Sequence, residues 1–357
     1  DAEPSVRQSV AHHAACPLKT LQKLATDKFP TVRAAVVTNA ALDQTSLLKL
    51  ADDEVVAVAQ LAARRGDLSQ IGQEKLAAHK SYMVRRVLAG NPSLEPALAV
   101  KLAADESSIV RAAMARNATI PEAVAAKLAA DGEEKIRQEL ALNSAVPSQI
   151  LALLAKDSSD DVLFALAHNR NTSKPVLVEL SRFFDGVLRR KLLARPDLPP
   201  EGYKIIASNA GDSLKLVVAA AANCPDEVLT SIALERDPDL RAEVAENAKT
   251  SADVLERLLV DPSVDVRAAM AGRKALAPEF LKRLSQDKYG GVRAVIAART
   301  DVPPEILLTL SKDGDAVVRR SVAANPAAPA ATLSELSKDE EMWISGALPP
   351  WFGKQKQ

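Results

Sequence analysis

The stretch from Asp261 to Gln286 reads DPSVDVRAAMAGRKALAPEFLKRLSQ, and its pattern returns in the two stretches that follow it. They read DKYGGVRAVIAARTDVPPEILLTLSK from Asp287 and DGDAVVRRSVAANPAAPAATLSELSK from Asp313, each displaced by 26 residues. Self-similarity at a period of this size is typical of solenoids and repeat arrays, in which each unit buries its apolar face against its neighbours. A single unit is therefore not expected to fold alone.

The rest of the chain aligns on a Val-Arg pair that has an Asp five residues before the Val. We count thirteen units and a degenerate fourteenth, and the spacing between their anchors varies. It is longest from Leu188 to Leu216 and shortest from Leu216 to Leu240. The third unit is anchored at Ala57-Val58 and the ninth at Leu216-Val217, and no linker interrupts the series. The sequence therefore predicts one elongated repeat domain over residues 1–338, followed by a degenerate last repeat and a C-terminal cap over 339–357.

Each unit predicts two short helices and no β-sheet. The Asp is expected to cap the first helix, because its side chain accepts hydrogen bonds from the free amides of a first turn. An Asn such as Asn91, six residues after the Arg, is expected to end that helix in the left-handed conformation. The second helix often opens with proline, as at Pro278, and is short enough to be 3₁₀ over part of its length.

The pattern Asp-x4-Val-Arg-x3-Ala-x-Asn, followed by Pro-Glu-x-Leu-x2-Leu, resembles the leucine-rich repeat variant family. That resemblance implies repeats of an α-helix and a 3₁₀-helix in a right-handed superhelix without β-sheet. The Asp and Val-Arg signature is also similar to HEAT-like repeats, in which both helices are α-helices. Some members of the family carry an iron-sulphur segment, but Cys16 and Cys224 are isolated and a cluster needs several thiolates. The fold class is therefore an all-α, right-handed superhelical solenoid of 13–14 two-helix repeats of about 26 residues.

Charge and cysteine content limit the possible partners and the compartment. Lys plus Arg and Asp plus Glu are both 46, so no global attraction to nucleic acid or to an anionic membrane is expected. No apolar run approaches the length of a membrane span, which takes about 18 residues or more, and no segment resembles a secretory signal. Two distant cysteines are expected to be free thiols in a reducing compartment, which favours the cytoplasm.

The repeated Arg has two possible roles. A column of Arg side chains could contact phosphates. Alternatively, it could pair with the equally long Asp column as a ladder that holds the units in register, using the planar Arg fork. We favour the ladder, whose clearest predicted members are Asp105, Arg111, Asp131, Arg137, Asp261, Arg267, Asp287, Arg293, Asp313 and Arg319.

The eighth unit departs most from the repeat, since Asp becomes Phe183, Ala becomes Leu193 and Asn becomes Arg195. Basic residues between aromatic residues suit an acidic peptide or a nucleic-acid backbone. The other interpretation, which we favour from the sequence, is an irregular repeat whose Phe residues fill a bend in the superhelix. The candidate partner-binding residues are Arg182, Phe183, Phe184, Arg189, Arg190, Lys191, Arg195 and Tyr203.

Two smaller signals lie elsewhere. Arg replaces the Asn at Arg64, Arg195, Arg273 and Arg299, where it could bind a partner or interact with a helix C-terminus. Trp343 and Trp351 lie at the C-terminal end and are also candidate partner-binding residues. We favour a different role for them, as a cap over the open end of the array.

Catalytic patterns are weak throughout. The four histidines form no metal-binding pair at helical spacing, and Cys16 near His13 is a weak sign of a nucleophile. We therefore expect no cofactor and no metal, and favour a non-catalytic scaffold that binds a protein partner through an extended curved surface. The alternative is a HEAT-like array that binds duplex nucleic acid. An enzyme resembling HEAT-like DNA glycosylases is a third possibility, although no matching cluster of aromatic residues and Asp is evident.

Overall fold

The computed structural model describes residues 3–337, and its regular elements there are all α-helices, with no β-strand. The chain divides between Leu180 and Ser181 into two compact units. Each unit consists of tandem repeats in which a first helix of eight or nine residues is followed by a second helix of seven to nine. The all-α solenoid of tandem helical repeats is therefore confirmed. The boundaries of the single predicted domain and of the cap stay predictions.

The helices of the first unit are α1 Pro4–His12, α2 Leu18–Leu24, α3 Pro30–Thr38, α4 Gln44–Leu50, α5 Val56–Ala63, α6 Gln70–Ala77, α7 Tyr82–Ala89, α8 Pro96–Leu102, α9 Ser108–Ala115, α10 Glu122–Ala129, α11 Glu134–Leu142, α12 Ser148–Leu154, α13 Asp160–His168 and α14 Lys174–Leu180. Those of the second unit are α15 Gly186–Leu193, α16 Pro200–Ser208, α17 Asp212–Ala220, α18 Asp226–Ile232, α19 Pro238–Glu246, α20 Ala252–Leu258, α21 Val264–Gly272, α22 Pro278–Leu284, α23 Gly290–Ala298, α24 Pro304–Leu310, α25 Ala316–Ala323 and α26 Ala330–Leu336. The second helix of each repeat is an α-helix rather than the 3₁₀-helix that the family resemblance implies.

The repeat α21/α22 shows how the sequence forms a two-helix repeat. Val266 and Met270 are one turn apart on α21 and are both buried, and Leu281 and Leu284 are buried on α22. Burial of each such side chain stabilises the fold by about 1.5–3 kcal/mol. Pro278 opens α22, where its missing amide hydrogen leaves no helical bond unmade. Neighbouring repeats cover the apolar face that one repeat leaves open.

The repeat period is constant along the described chain, so the predicted variation in spacing was wrong. From α3 onwards, the buried apolar residue of each first helix lies three residues after the N-cap, as Val58 does in α5 and Leu214 in α17. The anchors of these repeats are therefore Val58-Ala59 and Leu214-Lys215, not Ala57-Val58 and Leu216-Val217. The sequence alignment had slipped there because adjacent apolar residues offer more than one register.

The ladder Asp is not the helix cap that the sequence predicted. Helix α21 is capped by Ser263, two residues after Asp261, and the Asp261 Oδ1 atom accepts the Ser263 amide at 2.9 Å. The Asp therefore closes a turn before the helix. Its carboxylate also faces the preceding repeat.

Arginine and aspartate join consecutive repeats in a two-pronged ion pair. Arg267 donates from Nε and Nη2 to the two carboxylate oxygens of Asp287, at 2.6 and 3.1 Å, and from Nη1 to the Asp261 carbonyl at 2.7 Å. Eight pairs in the described chain share this sequence separation: Arg7–Asp27, Arg33–Asp53, Arg85–Asp105, Arg111–Asp131, Arg137–Asp157, Arg241–Asp261, Arg267–Asp287 and Arg293–Asp313. Arg319 donates to the Asp313 carbonyl, and the next ladder position, Asp339, lies outside the described residues.

Several of these pairs lower the pKa of the carboxylate that forms them. The hydrogen bond from Arg137 is the main cause that lowers the pKa of Asp157, and burial opposes it. In Asp105, Asp131 and Asp313 burial raises the pKa, but the Arg hydrogen bond, a backbone amide and two Arg charges together lower it further. These four carboxylates therefore hold their charge to lower pH than a free Asp.

A second side chain also joins consecutive repeats. Asn117 donates from Nδ2 to the carbonyls of Ala89 and Asn91, at 2.7 and 3.0 Å, at the C-terminal end of the preceding first helix. The same two contacts are made by Asn39, Arg65, Asn91, Asn143, Asn169, Asn247, Arg273, Arg299 and Asn325.

Two sequence expectations change as a result. No described non-glycine residue has a positive φ, and Asn39 has φ −78°, so the expected left-handed helix stop was wrong. The Arg that replaces Asn in the third repeat is Arg65 rather than Arg64. Arg65, Arg273 and Arg299 each donate to backbone carbonyls of the preceding repeat. Arg65 and Arg299 also pair with Asp67 and Asp301.

Candidate functional site

The junction between the repeats α15/α16 and α17/α18 lacks both joining side chains, and we call it the open junction. Asn209 occupies the ladder position opposite Arg189, where the other pairs have Asp. Ala221 occupies the position where the other repeats have Asn or Arg, and it has no side-chain donor. Asn223, which the sequence suggested for this role, makes only one long contact of 3.4 Å to the Pro196 carbonyl.

Arg189 is the residue most affected by this loss. It is only 2% exposed, and its Nη1 atom donates to the Asn209 carbonyl at 3.1 Å. Its Nε and Nη2 atoms, which bind the carboxylate in the complete pairs, are buried and have no hydrogen-bond partner among residues 3–337. Burial without a carboxylate lowers the pKa of Arg189.

The Asn209 side chain does not replace the missing carboxylate. It is exposed, and its Nδ2 atom donates to the Ile205 carbonyl and to Ser208 Oγ, both at 3.1 Å. Asn209 follows directly after α16, which at nine residues is the longest second helix. The Asn209 side chain at this ladder position therefore points away from Arg189.

In the other departures from the ladder, the Arg and the Asp of a pair are replaced together. In the third repeat Ala59 replaces Arg, and His79 replaces its Asp. In the ninth repeat Lys215 Nζ lies 2.5 Å from Glu235 Oε1, which preserves the ion pair with different residues. Within the described chain, Arg189 is the one ladder cation whose acid is lost.

Two exposed apolar side chains, exposed Arg190 and half-buried Lys191 lie beside Arg189. The Phe184 ring is 78% exposed, and its centroid lies 4.9 Å from Arg189 Cζ. Val187 is 62% exposed and shares a face of α15 with Arg190 and Lys191, three and four residues further on. Phe184, Val187, Arg190 and Lys191 form what we call the α15 patch.

The remaining sequence candidates have different surroundings. Arg182 is exposed and Phe183 is half-buried. Arg195 is buried and pairs with both oxygens of Asp197, at 2.9 and 2.8 Å. Tyr203 is 1% exposed, and burial raises its pKa, so its ring belongs to the core. We therefore leave Arg195 and Tyr203 out of the binding surface, and Trp343 and Trp351 lie outside the described residues.

Val187 was missed from the sequence because a valine in a helix is usually a core residue. Its position within the repeat could have distinguished Val187 from a core valine. Residues two before the ladder Arg are usually exposed, as Ile109 is in α9, and the constant period places Val187 in that column. An apolar residue there contributes to the surface.

The described residues offer little reactive chemistry outside this region. Residues 3–337 contain no group of three or more His, Cys, Asp and Glu placed to hold a metal ion. Cys16 and Cys224 are buried free thiols, and burial raises the pKa of Cys224 to about 12. No helix in the described part of the chain has the length and apolar character to cross a membrane.

Comparison with known proteins gives structural neighbours only. No protein-family model matches the chain, and no curated protein matches it. One solved structure, described as a leucine-rich repeat variant with a novel repetitive protein structural motif, is 25% identical over 62% of this chain and 87% of its own, with a TM-score of 0.42. A designed armadillo repeat protein is 15% identical over 82% and 90%, with a TM-score of 0.11. The first is of the repeat type that the sequence pattern resembles. With TM-scores this low, the fold assignment rests on the helices and contacts described above.

Proposed function

We propose that this chain is a non-catalytic scaffold that binds a protein partner through the α15 patch. The observation that supports this most is the exposure of Phe184 and Val187 beside Arg190. Aromatic and arginine side chains contribute most of the binding free energy at protein interfaces, where the apolar groups become buried. A partner that covers this patch would remove both apolar side chains from water.

The ladder argues against the alternative of nucleic-acid binding. The eight paired Arg side chains bind carboxylates, and seven of them also donate to a backbone carbonyl, so the N–H groups in these bonds are not available to phosphates. The net charge of zero gives no wider attraction to a polyanion. We also expect a cytoplasmic protein, because the two buried thiols suit a reducing compartment.

Cross-linked pull-down from the native source tests the proposed surface. The double variant Val187→Asp, Arg190→Glu is expected to lose the partners that the wild-type chain recovers. The matched control is Ile109→Asp, which changes the equivalent position three repeats earlier and should leave recovery unchanged. Recovery of every partner by the double variant would reject the α15 patch.

Titration with duplex DNA at two salt concentrations tests the nucleic-acid alternative. Phosphate contacts release counterions, so such binding weakens steeply with salt. We expect no binding of this kind. Suppose that the wild-type chain binds duplex DNA, that its affinity falls steeply with salt, and that the variant Val187→Asp, Arg190→Glu does not bind. That result would favour nucleic acid as the partner.

A further inference from the structure

The edge of Arg189 that holds Nε and Nη2 is equivalent to the carboxylate-binding edge of the complete pairs. We propose that it binds an Asp or Glu carboxylate from an acidic segment of a partner protein, in the place of the missing ladder Asp. The inference rests on the proposed function, because it names the chemistry of the partner that the α15 patch would take.

The chain itself does not supply this carboxylate within the described residues. Asn209 is neutral and faces solvent, and Asp185 Oδ1 accepts the Leu188 amide at 2.7 Å as the cap of α15. A buried guanidinium group without an anion is unfavourable, because it has lost hydration and gained no charged partner. An external carboxylate would relieve that penalty with two parallel hydrogen bonds.

Access to the edge requires movement of Phe184. Arg189 Nε and Nη2 are enclosed in the structure, and the Phe184 ring lies over the guanidinium carbon. Because that ring is 78% exposed, turning it aside breaks few contacts besides the cation–π interaction. The displaced ring remains beside the site, where it can pack on the incoming segment.

The surrounding charge favours an acidic ligand. Residues 182–191 read RFFDGVLRRK and contain four cations and one acid. Positive potential of this kind speeds the approach of an acidic partner and rejects a basic one. The planar Arg fork fits both carboxylate and phosphate, but the exposed Phe184 and Val187 favour a polypeptide over a nucleic-acid backbone.

Fluorescence anisotropy with two labelled peptides tests the inference on the full chain. One peptide contains Glu and Leu residues, and the other has Gln in place of every Glu. We expect the Glu peptide to bind at least about tenfold more tightly than the Gln peptide. Arg189→Lys, which keeps the charge but removes the fork, should reduce that preference by about tenfold. Equal binding of both peptides by the wild-type chain would overturn the proposal.

Asn209→Asp tests the site without removing Arg189. The new carboxylate is expected to turn from solvent toward Arg189, to pair with it, and to weaken binding of the Glu peptide by about tenfold. Ser208→Asp adds the same charge at the neighbouring exposed residue and should change affinity by less than about twofold. If both variants bind the Glu peptide as the wild type does, Arg189 is not the carboxylate site. This holds even if Arg189→Lys fails to fold.

The two proposals fail in different ways. If Val187→Asp, Arg190→Glu loses its partners while Asn209→Asp keeps them, the α15 patch remains and the carboxylate site is rejected. If no partner depends on the α15 patch, the proposed function is rejected whatever the peptides show. Binding of duplex DNA or inorganic phosphate without binding of the Glu peptide would assign the site to phosphate instead.

Discussion

The junction between α21 and α23 and the open junction between α15 and α17 have the same period and different chemistry. The first has the Arg267–Asp287 pair and the contacts of Arg299 to the preceding repeat. The second has an unpaired Arg189 and a side chain at Ala221 that cannot donate. Both junctions keep the same spacing between the buried anchors of their first helices. The apolar core therefore sets the repeat, and the polar side chains lock repeats together.

Low pH should have the largest effect on stability, because protonation of the Asp side chains removes several ladder pairs together. These pairs are present in junctions such as α21/α23 and absent from the open junction. The lowered pKa of Asp27, Asp105, Asp131, Asp157 and Asp313 means that their contribution is fully present above the unfolded pKa of about 3.9. It is lost as pH falls through the lower folded pKa values. We expect the urea midpoint to fall between about pH 5 and about pH 2, and a midpoint that is constant over this range would contradict the ladder.

Asp287→Ala should have the next largest effect. It leaves Arg267 buried without its anion, and breaking a buried pair in this way costs about 3–5 kcal/mol. The corresponding change at the open junction, Asn209→Ala, removes no ion pair and should change the free energy of unfolding by less than about 0.5 kcal/mol. Urea unfolding of both variants gives the difference, and similar losses would show that the two junctions are equivalent.

Asn209→Asp should partly close the open junction. A charge-assisted pair with Arg189 is expected to stabilise the chain by about 1.5–3 kcal/mol. Ser208→Asp controls for the added charge. Urea unfolding that gives Asn209→Asp no advantage over Ser208→Asp would show that the ladder geometry is not recoverable there.

Ala221→Asn should give the smallest effect. It restores the donor that other repeats direct at the end of the preceding first helix, here at the carbonyls of Leu193 and Arg195. A neutral hydrogen bond contributes about 0.5–1.5 kcal/mol, and hydrogen exchange should slow in α15 more than in α21. Unchanged exchange in α15 would mean that the second joining side chain is unimportant at this junction.

Much of the fold could be predicted from the sequence because the same pattern occurs many times. Two helices per repeat and the Asp and Arg columns follow from this recurrence. The partners of individual residues were harder to assign, since each Arg reaches the Asp of the next repeat and a one-residue slip hides the match. Once Ala59 and Lys215 are aligned correctly, His79 and Glu235 lie opposite them. The alignment then shows the rule that each ladder residue pairs with the ladder acid position of the next repeat.

The candidate site was predictable in place but not in detail. The irregular composition around Phe183 pointed to the repeat that contains Arg189. Burial of Tyr203 and exposure of Val187 depend on which face of a short helix each residue occupies, and composition does not give that. The unpaired edge of Arg189 could be recognised only after the complete pairs showed what that edge binds elsewhere.

A double-mutant cycle between Arg189→Met and Asn209→Asp tests the central claim most directly. The claim is that Arg189 is a ladder arginine without its acid. The urea-unfolding free energies of the wild type, both single variants and the double variant give the coupling energy. We predict that Asn209→Asp stabilises the wild-type chain but not the Arg189→Met chain, with a coupling of about 1.5–3 kcal/mol. A coupling near zero would show that position 209 cannot reach Arg189, and would contradict this account of the open junction.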